Sequence, residues 1–259
     1  MFKRMLEIAL VVCFSAGVAQ AAEAPFAGKW KLDPSRTRLP DAMKIESKGG
    51  NTYAFDFGGG GVETIVVDGT DQKGLDGTLL SVKPDGPNTW IVERKRDGKR
   101  QIRATWKLSK DGRTITDYFR QVAPDGAPIS MDYVYQRTGK GSGIAADWRS
   151  IKETMNSPLV LQVTPLPGDG LSFATSPAFF ARTVRFGRTD YPDEGPTPRK
   201  GATTSVRTVD ARTFVVTRKY DGKVVATEDI GLSSDLKTLT IAQHITGRDK
   251  PNLYVFARG

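Results

Sequence analysis

Cysteine and histidine are almost missing from this chain of 259 residues: each occurs once, as Cys13 and His244. Cys13 lies in an N-terminal apolar stretch that reads as a removable leader. The mature chain is therefore expected to carry no thiol, which excludes disulfides, thiol nucleophiles and thiolate metal sites. One histidine cannot build the multi-histidine metal sites. A catalytic histidine would also want a carboxylate and a nucleophile in reach, and no such set surrounds His244. Long apolar runs are lacking too, because the stretch Ile8–Val18 falls short of the roughly 20 residues a spanning helix needs. Helical periodicity is scarce, and acidic excess is absent: 38 Lys and Arg stand against 29 Asp and Glu.

The leader has its expected parts. Lys3 and Arg4 form a basic start, the apolar stretch follows, and Ala19-Gln20-Ala21 is an A-x-A cleavage site. Val12 stands before Cys13 where a lipoprotein would carry a small residue. A signal peptide over 1–21 predicts a periplasmic or secreted protein, and no later segment is a membrane candidate. Losing Lys3, Arg4 and Glu7 lowers the net charge from +9 to +8. The densest basic run, Arg94-Lys95-Arg96 with Lys99-Arg100, flanks a turn. Such a surface suits an anionic envelope component. Nucleic acid is not expected, because stacking aromatics are not interleaved with the basic run.

What the chain does contain is a duplication. Residues 88–121 align without a gap onto 212–245, with twelve identical positions, among them Arg94-Lys95 on Arg218-Lys219 and Asp97-Gly98-Lys99 on Asp221-Gly222-Lys223. Earlier, Trp30 falls on Trp148, Pro40 on Pro158 and Phe55 on Phe173. At the ends, Tyr133–Arg137 matches Tyr254–Arg258. This period is a domain's, not a solenoid's. The expected organisation is one unit over 22–138, a flexible Gly-rich linker over 139–145, and a second unit over 146–259 with a lengthened loop near Tyr191–Pro196.

Each unit reads as antiparallel β-structure. Asp-Gly, the sharpest short hairpin signal, begins at Asp68, Asp76, Asp85, Asp97, Asp111, Asp125, Asp169 and Asp221. Between these turns lie short alternating runs, clearest in Gln101–Leu108. Tyr53–Phe57, Ile65–Val67, Trp90–Arg96, Thr114–Arg120, Ser130–Arg137, Phe214–Tyr220 and Leu253–Ala257 read similarly. Short helical turns are expected only at Pro34–Arg38 and Arg149–Asn156. Many short strands with turns every 8–12 residues mean a sandwich or an up-and-down barrel, and hairpin connectivity favours the barrel.

Phe26-Ala27-Gly28-Lys29-Trp30 resembles the Gly-x-Trp opening of the lipocalin-like (calycin) barrels. More specifically, the chain is similar to bacterial exported lipocalin-like proteins that open with a Trp-Lys-Leu-Asp-Pro-Ser segment, here Trp30–Ser35. The resemblance covers nearly the whole mature chain, twice, and implies two tandem antiparallel barrels. In that family an arginine on the last strand packs across the tryptophan and closes the barrel base. Arg137 and Arg258 are so placed, which implies that Trp30 stacks on Arg137 and Trp148 on Arg258. Ala146 stands where the second copy would carry its glycine.

Three function classes fit such barrels: a binding module for a small apolar or amphipathic molecule, an envelope interaction protein with filled barrels, and an isomerase- or cyclase-type enzyme. No catalytic, metal or cofactor motif supports the last. Gly58–Gly61 lacks the following Lys, Ser or Thr and helix of a phosphate loop, so it reads as a hairpin tip. The binding reading places a ligand in the first unit. Trp90, Trp106 and Phe119 would form its aromatic wall, with Arg94 at the ligand's polar end. Asp117 shares a face with Ile115 and Phe119, where a charge is costly unless paired. It would either pair with Arg94, line the cup, or escape to solvent through a bulge.

Overall fold

The computed structural model describes residues 25–58, 61–178, 180–194 and 200–259. The expected signal peptide over 1–21 with Cys13, and parts of the Gly58–Gly61 run and the Tyr191–Pro196 loop, lie outside the described residues. Among those described the chain is all-β, with one 3-10 turn at Leu75–Gly77 and no α-helix. In order come β1 (Gly28–Leu32), β2 (Ala42–Gly49), β3 (Thr52–Asp56), β4 (Val62–Val66), β5 (Gln72–Lys73), β6 (Leu79–Pro84) and β7 (Thr89–Arg96). Then follow β8 (Lys99–Leu108), β9 (Thr114–Val122), β10 (Pro128–Arg137), β11 (Asp147–Met155), β12 (Val160–Leu166) and β13 (Gly170–Ser176). The chain finishes with β14 (Ala181–Arg185), β15 (Tyr191–Pro192), β16 (Ala202–Asp210), β17 (Thr213–Tyr220), β18 (Lys223–Leu232), β19 (Thr238–Ile245) and β20 (Asn252–Arg258).

These strands form two antiparallel ten-stranded sheets, one barrel-like and the other a half-barrel. The first runs β4-β3-β2-β11-β10-β9-β8-β7-β6-β5, and the second β14-β13-β12-β1-β20-β19-β18-β17-β16-β15. The duplication is visible down to its irregularities. A bulge falls between Arg94 and Lys95 in one copy and between Arg218 and Lys219 in the other. Asp97-Gly98 and Asp221-Gly222 both take positive φ at each residue, so these two turns are primed hairpins. Ser109 and Ser233 each bond the aspartate two residues on, at 2.6 Å.

The order of strands corrects the expected domain boundaries. β1 pairs with β12 and β20, and so lies in the sheet of the second copy, while β11 pairs with β2 and β10 in the sheet of the first. The opening strands of the two copies are exchanged. Arg258 therefore sits over Trp30, 4.2 Å from its ring centre, and Arg137 over Trp148 at 4.8 Å. The stacking has the expected form with the partners reversed. Each arginine also donates to its turn, Arg137 to Gly112 O and Arg258 to Leu236 O, both at 2.9 Å. Each indole N–H donates to the carbonyl four residues earlier, Trp30 to Phe26 and Trp148 to Ile144, also at 2.9 Å.

Loop-closure entropy gives the physical reason. β11 follows β10 closely and folds back on it as a hairpin, whereas β1 would have to reach β10 across most of a repeat. The segment 139–145 is thus the tip of that hairpin, inside the first sheet, and not a linker between units. The crossings lie instead between β1 and β2 and between β11 and β12. Arg149–Asn156, expected as a helical turn, is instead extended as far as Met155 in β11, where Trp148 and Ser150 alternate inward. At Pro34–Arg38 a single turn does form, with Thr37 N–H donating to Asp33 O at 3.0 Å.

The sheets are not independent. Ala123, Ile129 and Met131 of the first copy share one apolar core with Trp30, Phe214 and Phe256. Arg149 meets Asp249 at 3.1 Å, and Arg248 lies 3.7 Å from Asp41.

Candidate functional site

Period-two alternation builds the interior of the first sheet. On β8 it turns Ala104 and Trp106 inward and Arg103 and Lys107 outward. On β9 it turns Ile115, Asp117 and Phe119 inward, and on β10 Met131, Tyr133 and Tyr135. Trp106 stands opposite Asp117, and Asp117 opposite Tyr133. A cavity of about 200 Å³ opens among these strands, walled by Phe57, Leu80, Val92, Ile102, Ala104, Trp106 and Phe119. Its polar members are Asp41, Arg94, Asp117, Tyr133 and Tyr135.

Four of the five residues chosen from sequence, Arg94, Trp106, Asp117 and Phe119, therefore meet at one cavity. Trp90 does not line it. That indole packs edge-on against Tyr53, with ring centres 5.1 Å apart, and against Phe55.

The expected Arg94–Asp117 pair does not form. Arg94 makes a two-pronged ion pair with Glu63 on β4, at 2.6 and 2.9 Å, and donates to Thr78 Oγ1 at 2.7 Å. Burial alone would raise the Glu63 pKa, but the Arg94 guanidinium and the Leu75 N–H together hold it below the ordinary value. The same carboxylate joins β4 to the turn after β5 through Leu75 N–H, at 2.9 Å. Beside it the Gln72 side chain bonds both backbone groups of Val66. The seam of this sheet is thus closed by side chains where a ladder stops. Arg94→Leu, which strands a buried carboxylate, will cost about 3–5 kcal/mol in urea unfolding; a loss under about 1 kcal/mol would contradict this role.

Asp117 is the anomalous group. It is 6% exposed, and its Oδ1 has no hydrogen-bond partner among the described residues. The Trp106 indole N–H opposite it is equally buried and makes no hydrogen bond of good geometry, though it lies close enough to favour the ionised carboxyl. Burial pushes the Asp117 pKa up to about 7, helped by the charges of Asp41 and Asp132 and opposed by Trp106 and Arg120. Burial likewise raises Asp41, although Tyr135 donates to its Oδ2 at 2.8 Å. Tyr133 and Tyr135 are raised by burial and by the charges of Asp41 and Asp117.

The second sheet departs from this at the matching positions. Ile230 replaces Trp106, Ile241 replaces Asp117, and Gln243 replaces Phe119. Glu228, fully buried where the first copy has Ala104, forms an ion pair with Arg182 and accepts from Gln243, which in turn accepts from Asn252. Phe214 is packed on three sides by Phe26, Phe173 and Phe186. His244 lies half exposed on β19, 3.2 Å from Asp229. No group of acidic, cysteine or histidine side chains suited to a metal occurs among the described residues.

Sequence reading missed Glu63, Asp41, Tyr133 and Tyr135. Glu63 carried a usable cue, since it alternates with Ile65 and Val67 on an apolar face. The tyrosines carried the same cue on the Met131 face. Asp41 carried none, because the loop before β2 delivers it.

No helix among the described residues is long and apolar enough to cross a membrane. The chain matches no protein-family model and no curated protein.

Proposed function

We propose that this chain is an exported, lipocalin-like, non-catalytic binding protein that holds one small, largely apolar molecule inside its first sheet. The observation that carries this reading is the cavity beside Trp106 and Phe119, with one unpartnered polar group in its wall. Binding sites have this make-up, a mostly apolar lining and a few placed polar groups. The volume is below that of a drug-sized site and above the roughly 150 Å³ that admits benzene. A single-ring molecule fits it.

The test is a titration of toluene and benzyl alcohol into the full chain, followed by calorimetry and Trp106 fluorescence. Saturable binding is expected, and Ala104→Leu, which fills the cavity from its wall, will abolish it with the fold unchanged. Unaltered binding in that variant would place the ligand elsewhere. A second reading rests on Asp117 alone: a carboxyl titrating near neutrality in an apolar cavity is what a general acid–base of an isomerase- or cyclase-type enzyme requires.

A further inference from the structure

We infer that the molecule taken by this cavity is a small organic monocation, an amine on an aromatic body, whose ammonium group meets the Asp117 carboxylate. The inference deepens the binding reading and rests on it. Its ground is an accounting of the interior charges. Arg94 is held by Glu63 through both prongs of its guanidinium. Arg248 lies toward Asp41, at 3.7 Å. Arg120, the cation on Asp117's own strand, turns to Asp132 at 2.9 Å. Asp117 is left without an ion-pair partner among the described residues: the Trp106 indole N–H and the more distant Arg120 favour its charged form only in part, and its Oδ1 accepts no hydrogen bond.

The surroundings discriminate among ligand charges. An anion would face two carboxylates, Asp41 and Asp117, while Arg94, the guanidinium in the cavity lining, is already engaged by Glu63. A neutral alcohol could bond Asp117 but would leave a buried charge uncompensated once that group ionises. A cation compensates it. The Trp106 and Phe119 rings in the same wall also favour a cation through their quadrupoles, while the Phe57 ring already carries the Arg94 guanidinium, 5.9 Å from its centre. A chain of net positive charge thus encloses an interior of the opposite sign.

The pH dependence follows from the groups around Asp117: Asp41 from the loop before β2, Trp106 on β8, Arg120 on β9, and Asp132, Tyr133 and Tyr135 on β10. The tyrosines stay neutral through the physiological range, and burial raises Asp41 as well as Asp117, so both carboxyls act in the same direction, with Asp117 titrating near 7. Amine binding should strengthen as pH rises through about 7, where that carboxyl loses its proton.

The experiment is calorimetric titration of the full chain with benzylamine, its neutral isostere benzyl alcohol, and benzoate, at about pH 8 and about pH 5.5. At the higher pH benzylamine should bind roughly tenfold or more tightly than benzyl alcohol. That preference should collapse at the lower pH, and in Asp117→Asn at both. Benzyl alcohol binding as tightly as benzylamine at about pH 8, or benzoate binding tightest, overturns the cation assignment and leaves the binding reading standing. Failure of all three to bind overturns both.

Discussion

Alanine at Trp148 will cost about 3–5 kcal/mol and will loosen the sheet that ends at Arg137, whereas alanine at Trp30 will loosen the sheet that ends at Arg258. Both indoles are fully enclosed, at 1% and 0% exposure, so each substitution leaves a large cavity. Double-mutant cycles sharpen the assignment. Trp148 with Arg137, and Trp30 with Arg258, should couple by about 0.5–2 kcal/mol, the range of a guanidinium over an indole. Trp30 with Arg137 should be additive, because the two residues lie in different sheets. Hydrogen exchange resolved by strand reads which ladder opens. Coupling of Trp30 to Arg137 instead would mean that the opening strands are not exchanged.

Asp117→Asn will stabilise the empty protein by a few kcal/mol at about pH 8 and hardly at all at about pH 4. The unfolded carboxyl titrates near 3.8 and the folded one near 7. Between those values the native state holds a proton that the unfolded state has lost. Native stability therefore falls as pH rises through this window and levels off above it. A rise from 3.8 to about 7 corresponds to at most about 4 kcal/mol. Asparagine keeps the shape and does not titrate, so its profile should lack this decline. Glu63 acts with the opposite sign. Its pKa is lowered on folding, so its contribution is present above the unfolded value and is lost as pH falls through the folded one. Thermal unfolding of both proteins across pH checks the sign. A decline of equal depth in Asp117→Asn would show that another group causes it. Retaining a residue that weakens the free protein is common where function needs it.

Much of the fold was legible because turn chemistry and alternation act over a few residues. The offset that aligns Arg94 with Arg218 also places both bulges, and Gln101–Leu108 alternates as a strand whatever surrounds it. The exchange of β1 and β11 was not legible for an equally physical reason. Trp30 and Trp148 begin equivalent strands, each fits either slot, and repeat symmetry cannot choose between them. Only the short span from Arg137 to Asp147 bears on the choice, and its glycines suit a linker and a hairpin tip equally well. The cavity wall followed from alternation on β8 and β9. The partner of Arg94 did not, since Glu63 arrives across a seam that no hairpin connects.

The exchange also sets an order of events during synthesis. Once residue 155 has emerged, every strand of the first sheet exists, and that sheet can close on its own nascent chain. β1, made earliest, then has no slot to enter. Its neighbours β12 and β20 come later, the last of them at the very C-terminus. Once β12 has emerged β1 can pair along one edge, but until β20 follows its other edge stays open and Trp30 lacks the Arg258 that stacks on it, the kind of edge that another chain can capture. The oldest strand of the molecule is thus among the last to be paired on both edges, and a chaperone that shields apolar edges has a segment to guard at Phe26–Leu32.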